Sequence, residues 1–514
     1  MRHVIKLLTL ILFVVLGIMV SATDSGAQRG KGDAPAFPKT WDDAAVDSTG
    51  MPLAEPSASP VHIRSDYYYS IPVRPIYKSY PIYGYGKEPP GYLEWLQKQE
   101  PEIISFDTSK FKTEEDWIKA GEIVFDAPAA YERVPSFADV RNPEWYKKTD
   151  VPLTKEGIMP FARYVIKEKG VIEVGDISCA ECHVRVMRDG TVIKGAQGNF
   201  PFDRADSFAV RRAASKAASA EKFAEQYRLF ARGIYAAPWL RDDPNARLDK
   251  MSLDEIHAAR EVIPPGVVAR QAASIFYPVQ VPDLIGIKSQ RYLDHTGLVL
   301  HRSIGDLMRY AAFNYGGDDL AHYGDFYPFE PFQGKVPDPS TQDRYSDEQL
   351  YALSLYIYSL KPPPNPNKFD ALAARGQKVF DREGCGSCHA PPLYTNNKLT
   401  PVEGFRPPQE HLTKYDILPV HVGTDPNLAL KTRRGTGYYK VPSLRGLWYR
   451  GPLEHMGSVL TLEDWFDPRR LKDDYVPTGF RGYKVRTRAV AGHLYGLGLS
   501  ESDRKALIAF LKTL

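Results

Sequence analysis

The first strong pattern in this chain is apolar. Leu7 to Val20 is an almost unbroken hydrophobic run of 14 residues behind Arg2 and Lys6. Small residues follow it, with Ser25-Gly26-Ala27 as the cleavage site and Val20-Ser21-Ala22 as its competitor. A bilayer span needs about 20 residues, so 1–27 reads as an export signal peptide, with an uncleaved anchor as the alternative. No later stretch has the length and apolarity of a span. Residues 28–109 then interleave Tyr67, Tyr68, Tyr69, Tyr77, Tyr80, Tyr83, Tyr85 and Tyr92 with Pro72, Pro75, Pro81, Pro89 and Pro90. Proline at this density opposes helix and interior strand, so the spacing predicts an irregular, extended arm. Its rings are better placed by burial against the body than by docking a partner.

Helical spacing begins at Thr113, which forms a capping box with Asp116 ahead of the apolar positions of Trp117 to Phe125. Two further helices are predicted, Ser346 to Leu360 and Ser500 to Leu514, each opening on serine and closing on leucine. Lys361-Pro362-Pro363-Pro364-Asn365-Pro366-Asn367 cannot continue the first of these and reads as a linker.

These segments repeat. Gly121-Glu122-Ile123-Val124-Phe125 matches Gly376-Gln377-Lys378-Val379-Phe380, and Val281-Pro282-Asp283-Leu284 matches Val441-Pro442-Ser443-Leu444. Each of those prolines is followed 15 positions later by a glycine, Gly297 or Gly457, with His295 or His455 two residues before it. Ala352 and Leu353 align with Ala506 and Leu507. Two homologous domains result, 110–360 and 368–514, joined by the linker 361–367. The first is enlarged by about 49 residues before the motif described next, because Gly121 to Cys179 spans 58 positions and Gly376 to Cys385 spans 9.

Composition narrows the chemistry only a little. With 66 basic and 63 acidic side chains the net charge is +3, which gives no basic excess of the kind nucleic acid requires. The cysteines decide more. There are four, and all lie in Cys179-Ala180-Glu181-Cys182-His183 and Cys385-Gly386-Ser387-Cys388-His389. C-x-x-C-H is the attachment pattern for c-type haem: two thiols bond the porphyrin vinyl groups and the next residue becomes the proximal iron ligand. A zinc site would need a fourth ligand at each cluster, and simple disulfides would not call for histidine after both pairs. Two covalent haem c groups are therefore expected, on Cys179, Cys182, Cys385 and Cys388, with His183 and His389 as axial ligands. Export agrees with this, since c-type haem is attached outside the cytoplasm, and the expected compartment is the periplasm.

The duplicated C-x-x-C-H, the Val441-Pro442-Ser443-Leu444-Arg445 turn, Gly457, Thr461-Leu462-Glu463-Asp464 and the closing helix resemble the bacterial di-haem cytochrome c peroxidase superfamily. The likeness covers about 110–514, and the enlarged first domain is most similar to the rubber-oxygenase branch. The resemblance implies a mainly α fold of two tandem cytochrome c-like domains, and also a structural Ca2+. It implies an oxidoreductase in which the first haem activates peroxide or dioxygen and the second transfers electrons. Partners would be a small-molecule oxidant or substrate and a small periplasmic redox protein. The alternative is an electron carrier with both haems six-coordinate. The chain departs from the peroxidases at Lys194 to Phe200, where they carry a capping histidine and this sequence has none.

Capping ligands separate the two roles. For the first haem the candidates are His257, His295, His301, His322, Met251 and Met308, none in the capping position, and Met187 lies on the proximal side. An open first haem is expected. For the second, His411, His421, His455, His493 and Met456 compete. In cytochrome c-like modules the distal ligand comes from the loop before the terminal helix, which points to His493, seven residues before Ser500 and beside Gly492. Met456 is the rival, but its repeat partner is Thr296. Arg445 is a candidate propionate contact. Trp448, Tyr449 and Tyr292 are candidates to stand between the haems or to pack in the core. A first domain of about 250 residues, against the roughly 100–150 common for a domain, favours an enzyme with a cavity.

Overall fold

The computed structural model describes residues 37–330 and 334–514, so the proposed signal peptide lies outside the described residues. Two helix pairs give the molecule its frame. Helix α1 (Glu114–Asp126) starts at the Thr113–Asp116 capping box, and α2 (Asp347–Ser359) starts at a box formed by Ser346 and Gln349. The pair α3 (Ala371–Arg382) and α4 (Glu501–Lys512) is capped by Asp370 and Ser500. Both pairs cross at a glycine. A Cβ on Gly121 would lie 2.0 Å from the Ala352 carbonyl oxygen and 2.8 Å from Tyr356 Cβ; on Gly376 it would lie 1.9 Å from that of Ala506 and 2.8 Å from Phe510 Cβ. No side chain fits between those backbones, so glycine is required twice at equivalent places.

The extra residues between Gly121 and Cys179 build sheet as well as helix. Strands β1 (Ser79–Tyr83), β2 (Ala130–Tyr131), β3 (Ile158–Glu168) and β4 (Val171–Asp176) form an antiparallel sheet in the order β1-β3-β4-β2. Four two-stranded sheets lie elsewhere among the described residues, so the expected mainly α class is corrected to helix mixed with small sheets; Tyr164, Val165 and Ile166 in β3 are residue types that favour strand.

The arm also differs from expectation. It is not irregular: Tyr67, Tyr68 and Tyr69 lie in the helix Ser65–Ser70, and Tyr80 and Tyr83 in β1. Its prolines sit between elements, and Pro81 is tolerated because β1 is an edge strand whose register shifts at Pro81/Ile82. Tyr68 and Tyr80 are buried. The arm is thus stitched into the body well before residue 110.

After the first motif, the helices Phe202–Ser215, Ala220–Tyr235 and Leu253–Glu261 gather around a separate apolar cluster that includes Val210, Phe223, Ile256 and Met456. The repeated turns pack against one another with exchanged bonds. Gln280 N donates to the His455 carbonyl at 2.8 Å, and Lys440 N donates to the His295 carbonyl at 3.0 Å. Each repeat therefore holds the histidine-bearing turn of the other. Among the described residues, no helix is long and apolar enough to cross a membrane.

Candidate functional site

Strand β4 ends at Asp176 and runs directly into Ser178, whose hydroxyl accepts from Glu181 N at 3.2 Å and caps the single turn Cys179–His183. Neither thiol is in a disulfide. Burial pushes Cys179 up to about 11 and Cys182 up to about 12. His183 Nδ1 lies 3.1 Å from the Pro282 carbonyl. An imidazole that donates there presents Nε2 as its free lone pair, which is how an outer partner orients a metal-ligating histidine. Burial holds His183 at about 4, against the pull of the Pro282 carbonyl, so the ring is neutral at working pH. Behind the turn, Gly195 N donates to the His183 carbonyl at 2.6 Å and Gly198 N to the Cys182 carbonyl at 3.1 Å. A Cβ on Gly198 would lie 2.1 Å from that Cys182 oxygen. The stretch Lys194 to Phe200 thus braces the motif from its backbone side.

A cavity of about 400 Å³ opens beside this motif. Cys179, Cys182 and His183 line it together with Leu307, Phe313, Ile287 and Leu350, and with Tyr68 and Arg74 of the arm. Among the described residues that line it, His183 is the only histidine and there is no methionine. A wide π-type turn, Phe313–Gly317, brings the Tyr315 hydroxyl 3.2 Å from Cys179 Sγ. Most of the cationic lining is paired: Arg260 with Asp203 and Asp206, Arg270 with Asp294. Arg74 reaches Asp343, yet its Nε and Nη1, and the same two nitrogens of Arg133, are buried without a hydrogen-bond partner. Asp319 Oδ1 is likewise unpartnered, and burial, reinforced by Asp318, raises Asp319 to about 8.

The second motif repeats the orientation, and Cys385, Cys388 and His389 do not line that cavity. His389 Nδ1 lies 3.1 Å from the Tyr394 carbonyl, and the Pro442 carbonyl also bonds the ring; burial lowers its pKa against both. Cys385 packs against the cluster of Val379, Phe380, Leu507 and Phe510, and burial raises it to about 11. His493 is held at about 4 by burial, then by the nearby His389 and Arg470, and its Nδ1 is buried without a partner. Its ring stands between Trp465 (5.4 Å) and Tyr495 (5.6 Å). Arg470 fixes this loop, donating to the carbonyls of Trp465, Val490 and His493 at 2.8, 2.7 and 2.8 Å.

The structure brings His493, and not Met456, to His389. Met456 lies in the cluster with Val267 and Phe480, away from the one bordered by Cys385. Several other histidines have local tasks: His295 Nε2 meets the Gln280 carbonyl at 2.7 Å, His301 bridges the Gln290 carbonyl and Tyr358, and His411 meets Tyr438. His322 Nδ1 meets the Gly324 carbonyl, His421 Nδ1 the Pro401 carbonyl, and His257 packs against Tyr227. Met251 and Met308 are core residues, and Met187 packs beside Tyr449. Arg445 is exposed, and its own carbonyl accepts from Arg450. Tyr292 and Tyr449 are buried, with their hydroxyls on Asp416 and Asp283. Among the described residues no group of three or more His, Cys, Asp or Glu side chains forms a metal cluster.

Sequence reasoning missed Arg74, Arg133, Tyr315 and Asp319, which reach the cavity by long-range folding with no local signal. Gly198 and Asp283 had signals: a glycine close behind the motif, and the one acidic residue in the otherwise matching V-P-x-L turns.

No family model matches the chain, and no curated protein matches it. Among solved structures it is similar to hydrazine synthase of Kuenenia stuttgartiensis under xenon pressure, at 16% identity and a TM-score of 0.28, over 59% of this chain and 92% of that one. It is also similar to a MauG-like protein associated with microbial copper homeostasis, at 17% identity and a TM-score of 0.28, over 58% of this chain and 88% of that one. At that level of superposition neither likeness bears on the chemistry.

Proposed function

We propose that this chain is an exported di-haem oxidoreductase of two cytochrome c-like modules, the first reacting with a small oxidant and the second passing electrons. One observation carries the reading. Both C-x-x-C-H motifs hold their histidine against a repeated V-P turn, but the cavity of about 400 Å³ is lined by Cys179, Cys182 and His183 and by none of Cys385, Cys388 and His389, with His183 its only histidine and no methionine among the described lining residues.

The residues fit the cofactor. Cys179 with Cys182, and Cys385 with Cys388, would bond the two haems, and His183 and His389 would be their proximal ligands. The unpartnered nitrogens of Arg74 and Arg133 suit an anionic edge such as propionate. Bound haem supplies one-electron chemistry and, where its sixth position is open, a place for a small ligand. The protein does the rest. Pro282 orients His183, while Leu307, Ile287 and Phe313 give the first site an apolar wall. Asp319 holds a proton there up to about pH 8. At the second site, Arg470 holds the His493 loop near His389, where the His493 ring would compete with any added ligand.

The test is the mass of the denatured mature protein from a host competent in cytochrome c maturation, followed by carbon monoxide titration. Two added haems and one ligand bound per chain support the reading. Fewer haems, or no ligand in any redox state, removes it; in the latter case the carrier reading stands.

A further inference from the structure

The two histidine-centred sites are joined by a short polar seam. Asp283 follows Pro282, whose carbonyl holds His183. Its carboxylate accepts from Ile285 N at 3.0 Å and from the Tyr449 hydroxyl at 2.8 Å, and faces Arg450 Nε at 4.0 Å. Arg450 then crosses to the other repeat, donating through Nη1 to the carbonyls of Ser443 (2.8 Å) and Arg445 (3.2 Å). Ser443 follows Pro442, which bonds His389, and its hydroxyl donates to the Leu393 carbonyl at 2.6 Å, next to Tyr394. Thus one side chain, Arg450, touches the residue after each histidine-holding proline.

The seam is tightly built. Tyr449 is buried among Ile193, Ala196, Ile285 and Trp448. Gly446 has φ +76°, and a Cβ there would lie 2.4 Å from the Tyr449 hydroxyl, so only glycine admits that hydroxyl to Asp283. From the first motif, Arg185 Nη1 donates to the Gly451 carbonyl at 2.8 Å and locks the same segment from the other side.

We propose that Asp283, Tyr449 and Arg450 form the bridge along which the two sites exchange an electron, and that they do so as positioning residues. This rests on the di-haem reading above. One site loses an electron as the other gains it, and no bond forms or breaks. The bridge runs from Pro282 to Pro442 through two hydrogen bonds, Tyr449 hydroxyl to Asp283 and Arg450 Nη1 to the Ser443 carbonyl, joined by the peptide link between Tyr449 and Arg450. Asp283 stands where the second repeat has Ser443, so the link is asymmetric: the carboxylate belongs to the cavity-bearing side.

The experiment uses holoprotein whose two haems have been verified by mass. Carbon monoxide is photolysed from half-reduced protein, and electron flow between the haems is followed optically in wild type, Tyr449→Phe and Arg450→Gln. Both variants should retain two haems and slow that flow by about tenfold, the lower end of the usual effect of removing an outer-shell partner. If Arg450→Gln fails to fold, Tyr449→Phe and Asp283→Asn carry the test. Two haems with an unchanged rate in these variants overturn the bridge alone. Wild-type protein with fewer than two haems overturns the reading beneath it and the bridge with it.

Discussion

His183 and His389 follow identical pairs of thiols and lean on equivalent prolines, yet their surroundings have opposite character. Around His183 the chain spends the arm, the sheet and the Phe313–Gly317 turn on enclosing space. Around His389 the same frame, α3 crossing α4, packs Phe380 and Phe510 against Cys385, and His493 lies near His389. The difference teaches that the helical frame sets the orientation of the histidine, whereas added segments decide whether a ligand can reach it.

The hardest way to break the comparison is to remove the thiols. Cys179→Ala with Cys182→Ala should cost one haem by mass and all carbon monoxide binding. The Cys385→Ala, Cys388→Ala pair should cost one haem and leave carbon monoxide binding in place.

Next comes the shared frame. Gly121→Ala and Gly376→Ala each drive a Cβ into a helical carbonyl. Each should lower stability by about 3 kcal/mol, the upper end for overpacking, measured by denaturant unfolding. Similar losses at the two sites sharpen the equivalence of the frames; a neutral result at either breaks it.

Arg470→Met would remove the donor from three carbonyls at once. With about 1 kcal/mol or more per unsatisfied buried group, the expected loss is about 3 kcal/mol. Freed from its strut, the His493 loop should let the second site bind carbon monoxide, doubling the stoichiometry.

The smallest effect concerns protons. Asp319 has a folded pKa raised to about 8 by burial and Asp318. It favours folding most below the ordinary carboxylate pKa, and that contribution falls away as pH rises through 8. Cyanide affinity of the first site should therefore change near pH 8 in wild type, and Asp319→Asn should flatten that profile.

The repeat made much of the frame legible. Gly121 and Gly376, Ala352 and Ala506, and the V-P turns could be paired by eye, and the structure gives each pair the same contact. The Thr113–Asp116 capping box located the start of α1, and the serine-to-leucine span Ser346 to Leu360 located α2 to within a residue. The sheet was not legible, because β1 comes from a proline-rich arm and joins β3 across about 80 residues, a pairing no local pattern encodes. The cavity walls were hidden for the same reason. Arg74 is placed by its own backbone bond to Arg344, 270 positions away. At the motifs, residue identity exposed the chemistry, while enclosure depended on distant segments.

The central claim, one open site and one closed site, is tested most directly by electron paramagnetic resonance of the resting, fully oxidised holoprotein. The account predicts two ferric signals of equal weight, one high-spin from the haem on His183 and one low-spin from the haem between His389 and His493. Two low-spin signals with no high-spin component at any pH would contradict it.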